Sequence, residues 1–588
     1  MNKAIFLYTV TLILFFSCDN NPQTASTSNG ANIDTAFNAF KERFMDEYWK
    51  ANPSSAIYIG YGKYYDTLKI PDSAAFVGDV QFAKNYTDTL HAFNYDQLSD
   101  NNKIDYKILE NQFASTVWYT DTFKQQHWDP STYNLGGECY EILSQNYAPL
   151  DERLKTLSKH LQHADAYYAA ALSMVYQPTK EHTDLAIKQN EGSLGVFGAS
   201  LTDSIKASTL TQPEKDTLQV HVALTVTAIK NYAAALTKIL NDKSQQFRDF
   251  RIGKDLFTQK FKYDLVTDIT ATQLFDKAEA AKNYYHAQSY KLADQLWAKY
   301  CGTAPKPADS LLLIKTVIDK IALHHVSPEH LIDTARQIVH RLEHFIIEKD
   351  LFAYDTTASL QVRVMPAYMA GVSLASANFV PPYSKRGTTY YNVEDLTKQP
   401  AAQAESSLRE HNDYTLQILS IHEAMPGHCL QSVYSNKKSP DIVQTVFGNG
   451  ATVEGWAVYC EKMMLDNGWD NNSPEMWLMF YKWALRECCN VVVDYGIQCL
   501  NYSKDDITKL LKNEAFQEDA QIAEKYHRAT VSQVQLCSYF SGATDILALR
   551  EAYKAQQGSA FTLKDFHEKF LSYGSAPVKF ISELMLKK

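Results

Sequence analysis

Between Ile421 and His428 the chain reads Ile-His-Glu-Ala-Met-Pro-Gly-His, and a helix running into this stretch cannot run straight through it. Proline removes a backbone donor and clashes with the carbonyl four residues back, while glycine tolerates unusual dihedrals. His422 and His428 lie six positions apart. On an unbroken helix the second imidazole would point roughly 240° away from the first. The familiar His-Glu-x-x-His zinc helix instead spaces its histidines i, i+4 on one face. Pro426-Gly427 therefore predicts a bulge or break at residues 425–427 that swings His428 back beside His422. A hydrolytic zinc ion needs two neutral imidazoles, one carboxylate, an open position for water and a nearby glutamate as base. His422 and His428 are the expected imidazoles and Glu423 the expected base.

The carboxylate is sought downstream. Asn449 to Glu461 reads as a loop feeding a helix, with Glu454 near its start. The interval after His428 is long enough for one helix to end and a second to pack alongside. Glu454 is the expected third ligand. Glu461 stands two turns further along the same face, placed to orient a histidine from behind. One zinc ion per chain is the implied cofactor. With three ligands and an open position, zinc lowers the pKa of its water to about 7. Glu423 would take that proton and pass it to the leaving amine.

The rest of the chain reads as helix nearly throughout. Ile33, Phe37, Phe40, Phe44 and Tyr48 recur at three-to-four spacing across 33–52. Similar periods predict helices over 150–176, 213–241, 270–300, 307–322 and 328–348, several opening at proline or an N-cap residue. Alternating stretches at 361–365 and 388–393 read as strands, a minor β element near the zinc helix. Such an element could align an extended peptide by main-chain pairing. The expected fold is mainly α. The 588 residues could hold more than one domain, with an N-terminal helical lobe over 33–245 and a catalytic lobe over 246–588. His160/His163 and His340/His344 have metal-compatible spacing but lack an adjacent glutamate and a downstream acidic motif; they read as surface or edge histidines.

At 45% hydrophobic and 21% charged, the composition is that of an ordinary globular protein. A net charge of −10 without a basic stripe argues against nucleic-acid binding. Lys3, an apolar run over residues 4–16 and Ser17-Cys18 form a stretch too short for a normal span. They read as a bacterial lipoprotein signal over 1–17, with Cys18 carrying the lipid. Residues 18–32, rich in Asn, Ser and Thr, read as a flexible tether. The expected location is the bacterial cell envelope, periplasmic or outer-membrane associated, with membrane contact through that lipid only. Eight cysteines remain beyond Cys18, none in a C-x-x-C spacing, and read as buried thiols.

His-Glu-Ala-x-Pro-Gly-His followed by Glu-Gly-Trp-Ala-x-Tyr-x-Glu resembles the domain-of-unknown-function family 885. Its members are bacterial, many of them lipoproteins, regarded as helical zinc peptidases distantly similar to the thimet-oligopeptidase and angiotensin-converting-enzyme type of gluzincin. Thr389-Tyr390-Tyr391-Asn392 is similar to the family's Phe-Tyr-x-Asn. Arg486 to Gly496 with Val492-Val493-Asp494-Tyr495-Gly496, Gln535 with Ser538-Tyr539 and Gly542, and Phe566-His567 with Gly574 and Pro577 resemble its later segments. The chain departs from the pattern at Gln498, Asn501-Tyr502 and Gln533-Val534. The resemblance implies a zincin-like fold and short peptides as substrates. It implies Asp494 as a supporting residue behind the ligands, and Tyr539, then Tyr526, Tyr495 and His567, as donors to a developing oxyanion. Tyr390, Asn392, Tyr526 and His567 are its implied substrate contacts. A competing reading is a non-catalytic glycan- or peptide-binding outer-membrane lipoprotein, which fits the length and the 37 tyrosines but leaves the His-Glu set without a purpose.

Overall fold

Helices with one apolar stripe are stable only when that stripe is covered. In this chain the covering is done by other helices almost everywhere. The computed structural model describes residues 27–353, 360–366, 374–384, 387–439 and 441–587. The expected signal, Cys18 and the start of the tether lie outside these residues. Residues 27–32 of the expected tether already belong to the first helix, Thr27–Ala51. The amphipathic stretch from Ile33 supplies the nucleus, and adding residues to an existing helix costs little.

The aromatic comb read from the first helix is its buried face. Phe37, Phe40 and Phe44 are fully buried against Phe93, Tyr86 and Phe113 of the segments that follow. The helices Leu150–His160, Ala164–Met174, Lys180–Ser193 and Gln212–Asn241 form a separate bundle around Leu154, Leu157, Leu218 and Ile229. A helix expected to run unbroken over 150–176 is interrupted by a 3-10 turn at Leu161–His163. There His160 is buried, not at the surface, and its Nδ1 bonds to Tyr65 O at 2.9 Å. His163, His340 and His344 are exposed as expected.

Capping side chains set several helix starts. Thr270 and Gln273 form a reciprocal box at the head of Ala271–Cys301. Asp309, not Pro307, opens Ser310–Ile321 by accepting from Leu311 N and Leu312 N. Ala271–Cys301 packs along Pro474–Leu500, a helix buried nearly all round. The apolar core continues across residue 245: one cluster joins Phe37 and Leu109 to Leu419, Trp456 and Phe570.

Three short strands form the β element: β1 (Leu360–Val364), β2 (Ala375–Asn378) and β3 (Thr389–Val393), in the order β1-β3-β2. β1 is parallel to β3 with Val362 opposite Tyr391, and β2 is antiparallel with Ala377 opposite Tyr391. Tyr391 Oη meets Ser420 Oγ at 3.2 Å, which fastens the sheet to the helix that carries His422. No described helix is long and apolar enough to cross a membrane.

Candidate metal centre and cavity

The helix Thr415–Glu423 ends at Ala424, the Met425–Pro426 peptide is cis, and Gly427 precedes the next helix, His428–Lys438. The break expected from Pro-Gly is thus present. Gly427 N donates to Ile421 O at 2.9 Å, folding the chain tightly on the end of the first helix. A Cβ on Gly427 would stand 1.9 Å from His422 O, so only glycine fits. The result brings the His422 and His428 ring centroids to 4.8 Å, nearly perpendicular. Trp456 Nε1 donates to Pro426 O at 3.0 Å, clamping the break to the helix Gly450–Asp466.

That helix carries Glu454. Asn449 caps it by accepting from Thr452 N at 3.1 Å. Glu454 Oε2 lies 3.6 Å from His422 Nε2 and 3.4 Å from His428 Nε2. Four ligands placed tetrahedrally at the usual zinc distances stand roughly 3.3 Å from one another. The two distances to Glu454 are close to that spacing, all three donors lie within 4.8 Å of one another, and their chemistry, two imidazoles and a carboxylate, fits that ion. Burial raises the Glu454 carboxyl, but the His422 and His428 imidazoles override it and hold the group well below the usual carboxylate range.

Behind the pair sits a second layer. His422 Nδ1 meets Glu461 Oε1 at 2.7 Å, which fixes the tautomer and leaves Nε2 to face Glu454. Trp483 Nε1 donates to the same oxygen at 3.0 Å. Glu487 lies beside Glu461, their oxygens within 4.8 Å of each other and of His422, and burial pushes both carboxyls well up.

Glu423, His422, His428 and Glu454 line a cavity of about 550 Å³. Burial raises the Glu423 carboxyl, opposed by the two imidazoles. Tyr539 lies on the same wall, its ring stacked 6.4 Å from that of His422, and Arg528 donates to its hydroxyl at 2.9 Å. Strand β2, at the edge of the sheet, borders the cavity. Glu454 also faces a second cavity of about 810 Å³, walled by Trp49, Phe82, Phe113, Tyr263 and Phe447.

Other expected site residues lie elsewhere. Asp494 faces Cys537, whose Sγ stands 3.8 Å from Oδ2, and does not touch the histidines; burial raises its pKa to about 8. His567 is buried between Tyr459 Oη at 2.8 Å and Leu351 O at 3.0 Å, a brace for the Glu454 helix and not a cavity group. Tyr495 bonds to Thr272 Oγ1 at 2.9 Å in the core, and Tyr526 lies under Lys504. Tyr390 is covered by the Arg363 guanidinium, 3.7 Å from its ring centroid. Asn392 is buried within the sheet, accepting from Arg363 Nε and donating to Asn378 Oδ1, both at 2.7 Å. Asp494, Tyr495, Asn392 and His567 are turned into the supporting core, while Tyr390 and Tyr526 are half-buried under the cations that cover their rings.

Glu487, Trp483, Lys525 and Arg528 reach the site without having been singled out, and Arg486, named only for its resemblance to the family's segment, joins them. One signal was available. Residues 483, 487, 490 and 494 recur at helical spacing, three of them polar, inside an otherwise apolar helix.

A mainly helical scaffold with a His-His-Glu triangle at a helix break, lining a cavity, defines the class. The chain belongs to the family described as "Bacterial protein of unknown function (DUF885)", whose profile matches residues 53–585. It is similar to the solved structure of "a putative lipoprotein of unknown function" from Shewanella oneidensis, at 42% identity and a TM-score of 0.84. That match covers 94% of this chain and 100% of the other. A second solved structure, described as a "putative lipoprotein" from Colwellia psychrerythraea, shares the fold at 15% identity and a TM-score of 0.77, covering 94% and 98% of the two chains. No curated protein matches the chain.

Proposed function

We propose that this protein is a zincin-like metallopeptidase that hydrolyses short peptides. The observation that carries this reading is the His422–His428–Glu454 triangle, whose donor atoms all lie within 4.8 Å of one another, with Glu423 in the same cavity. Zinc, when bound, supplies Lewis-acid polarisation and a water of lowered pKa. Glu423, its carboxyl raised by burial, takes a proton from the attacking water and returns it to the leaving amine. Tyr539, held by Arg528, offers its hydroxyl to the oxyanion that develops. Glu461 keeps His422 in the tautomer that presents Nε2. A peptide laid along β2 would add main-chain pairing to the sheet edge, and a cavity of about 550 Å³ suits short chains over folded ones.

Elemental analysis of the purified protein should find close to one zinc per chain, lost in His428→Ala. Glu423→Gln should keep the metal and lower peptide turnover by about 10³-fold. Stoichiometric zinc with turnover unchanged in Glu423→Gln would reject this base; absence of both zinc and turnover would favour the binding-protein reading. The Lys3–Cys18 leader, together with the name given to the Shewanella relative, supports a lipid anchor in the cell envelope. Fatty-acid labelling of the expressed protein should therefore disappear in Cys18→Ala; labelling that persists there removes the anchor from this position.

A further inference from the structure

Arg486, Lys525 and Arg528 line the cavity together with the acid Glu524, and of these cations the proposed chemistry uses only Arg528, to hold Tyr539. The helix Asp519–Val531 presents Gln521, Lys525 and Arg528 on one face, and all three line the cavity that holds His422 and Glu423. Arg486 joins them from Pro474–Leu500, lying over the Trp483 ring at 4.8 Å.

The partners of these cations are largely neutral. Lys525 Nζ contacts the Asn490 amide oxygen, and Arg528 donates to Gln535 Oε1 at 2.6 Å and to Tyr539 Oη. Arg486 is within the field of Glu410, Glu461 and Glu487. Glu524, the acid nearest Lys525 in sequence, is exposed. Lys525 itself is buried, and burial together with Arg486 and Arg528 pushes its pKa well below the usual lysine range. Among the described residues the one hydrogen-bond partner of the Lys525 amine is the Asn490 amide oxygen, and the acid that acts on it across the cavity, Glu524, is solvent-exposed and compensates its charge only in part. Such a group gains most from an anion that enters the cavity.

We propose that this wall binds the C-terminal carboxylate of the peptide substrate, with Lys525 and Arg528 as its contacts, so that the enzyme works from the carboxyl end. The inference rests on the peptidase reading above. A carboxylate there would restore the Lys525 ammonium and pair with the planar Arg528 fork. An amidated end would leave Lys525 only partly compensated, and sites built around a charged partner reject analogues that lack it. The cavity on the other side of Glu454 is suited to the remaining chain: its walls are aromatic, and its Lys260 and Asp264 pair with each other.

The test uses the zinc-loaded full chain carrying Glu423→Gln, which binds without turnover, and titrates it by calorimetry. The probes are a short alanine-rich peptide with a free carboxyl end, the same peptide amidated, and an amidated version bearing a glutamate side chain. The free acid should bind at least about tenfold tighter than the amide. Adding Lys525→Met should shrink that ratio toward one. Equal binding of acid and amide overturns the proposal without any further variant. So does an undiminished ratio in Lys525→Met, or an amidated glutamate peptide that binds as tightly as the free acid. If the unsubstituted protein cleaves none of the peptides yet still prefers the free acid, the peptidase reading fails and the carboxylate site stands.

Discussion

Glu461 shows how one residue behind the site governs the residues in it. Its carboxyl group orients His422 and takes the Trp483 indole N–H. Glu461→Gln keeps the shape but replaces the carboxyl group facing the imidazole with an amide. Competition with a chelator should find zinc affinity lowered about 10- to 100-fold with the melting temperature of the metal-free protein little changed. Unaltered affinity would mean that Glu461 serves packing alone. At this scale the sequence reveals the groups with a local signature. His422, Glu423, His428, Glu454 and Glu461 could all be picked out from spacing. Lys525 and Arg528 could not, because a solvated lysine and a buried one look the same until the helix is placed.

At the scale of elements, the Glu454 helix owes its position to glycine. Gly455 and Gly542 let the helices Gly450–Asp466 and Cys537–Gln557 touch backbone to backbone. A Cβ on Gly542 would stand 1.7 Å from Ala451 O, and one on Gly455 would stand 2.3 Å from the Gly542 carbonyl carbon. Gly542→Ala must push the helices apart. We expect a loss of about 2–4 kcal/mol in denaturant unfolding, together with weaker zinc binding as Glu454 moves. Gly192, exposed in a helix with open space around its Cα, is the control: Gly192→Ala should stabilise by about 0.5–1 kcal/mol. If both substitutions cost the same, close approach is not what Gly542 provides. Helix existence was readable from apolar period, and the strands at 360–364 and 389–393 from alternation. The 3-10 turn at Leu161–His163 was not, since the apolar period runs on through it; there His160 bonds to Tyr65, far away in the chain.

For the whole molecule the buried histidines set the response to acid. Burial lowers His411 and His567 to about 4. In the unfolded chain both titrate near 6.5. Between these values the unfolded state binds more protons, so stability is fully present above about pH 6.5 and is lost as pH falls toward 4. For His567 the loss between pH 7 and pH 5 is about 2 kcal/mol. Urea unfolding of the zinc-free protein should show a loss smaller by about that amount in His567→Gln. An identical pH response in variant and wild type would refute a neutral buried His567. Asp494 acts in the opposite direction: its carboxyl ionises at about 3.9 in the unfolded chain but only at about 8 in the fold, so its contribution is lost as pH rises between these values.

Local pattern alone determined that this chain is mainly helical and that His422 and His428 flank a helix break. It also marked Glu454 as an acid placed to join them, because period, proline and glycine act within a few residues. Tertiary structure decided which side chains of those segments face the cavity. It sent Asp494 and His567 into the core and brought Glu487, Lys525 and Arg528 to the site. That choice depends on how one helix is rotated against another, and rotation is set by packing across the whole molecule, including a pair of glycines 87 residues apart on different helices.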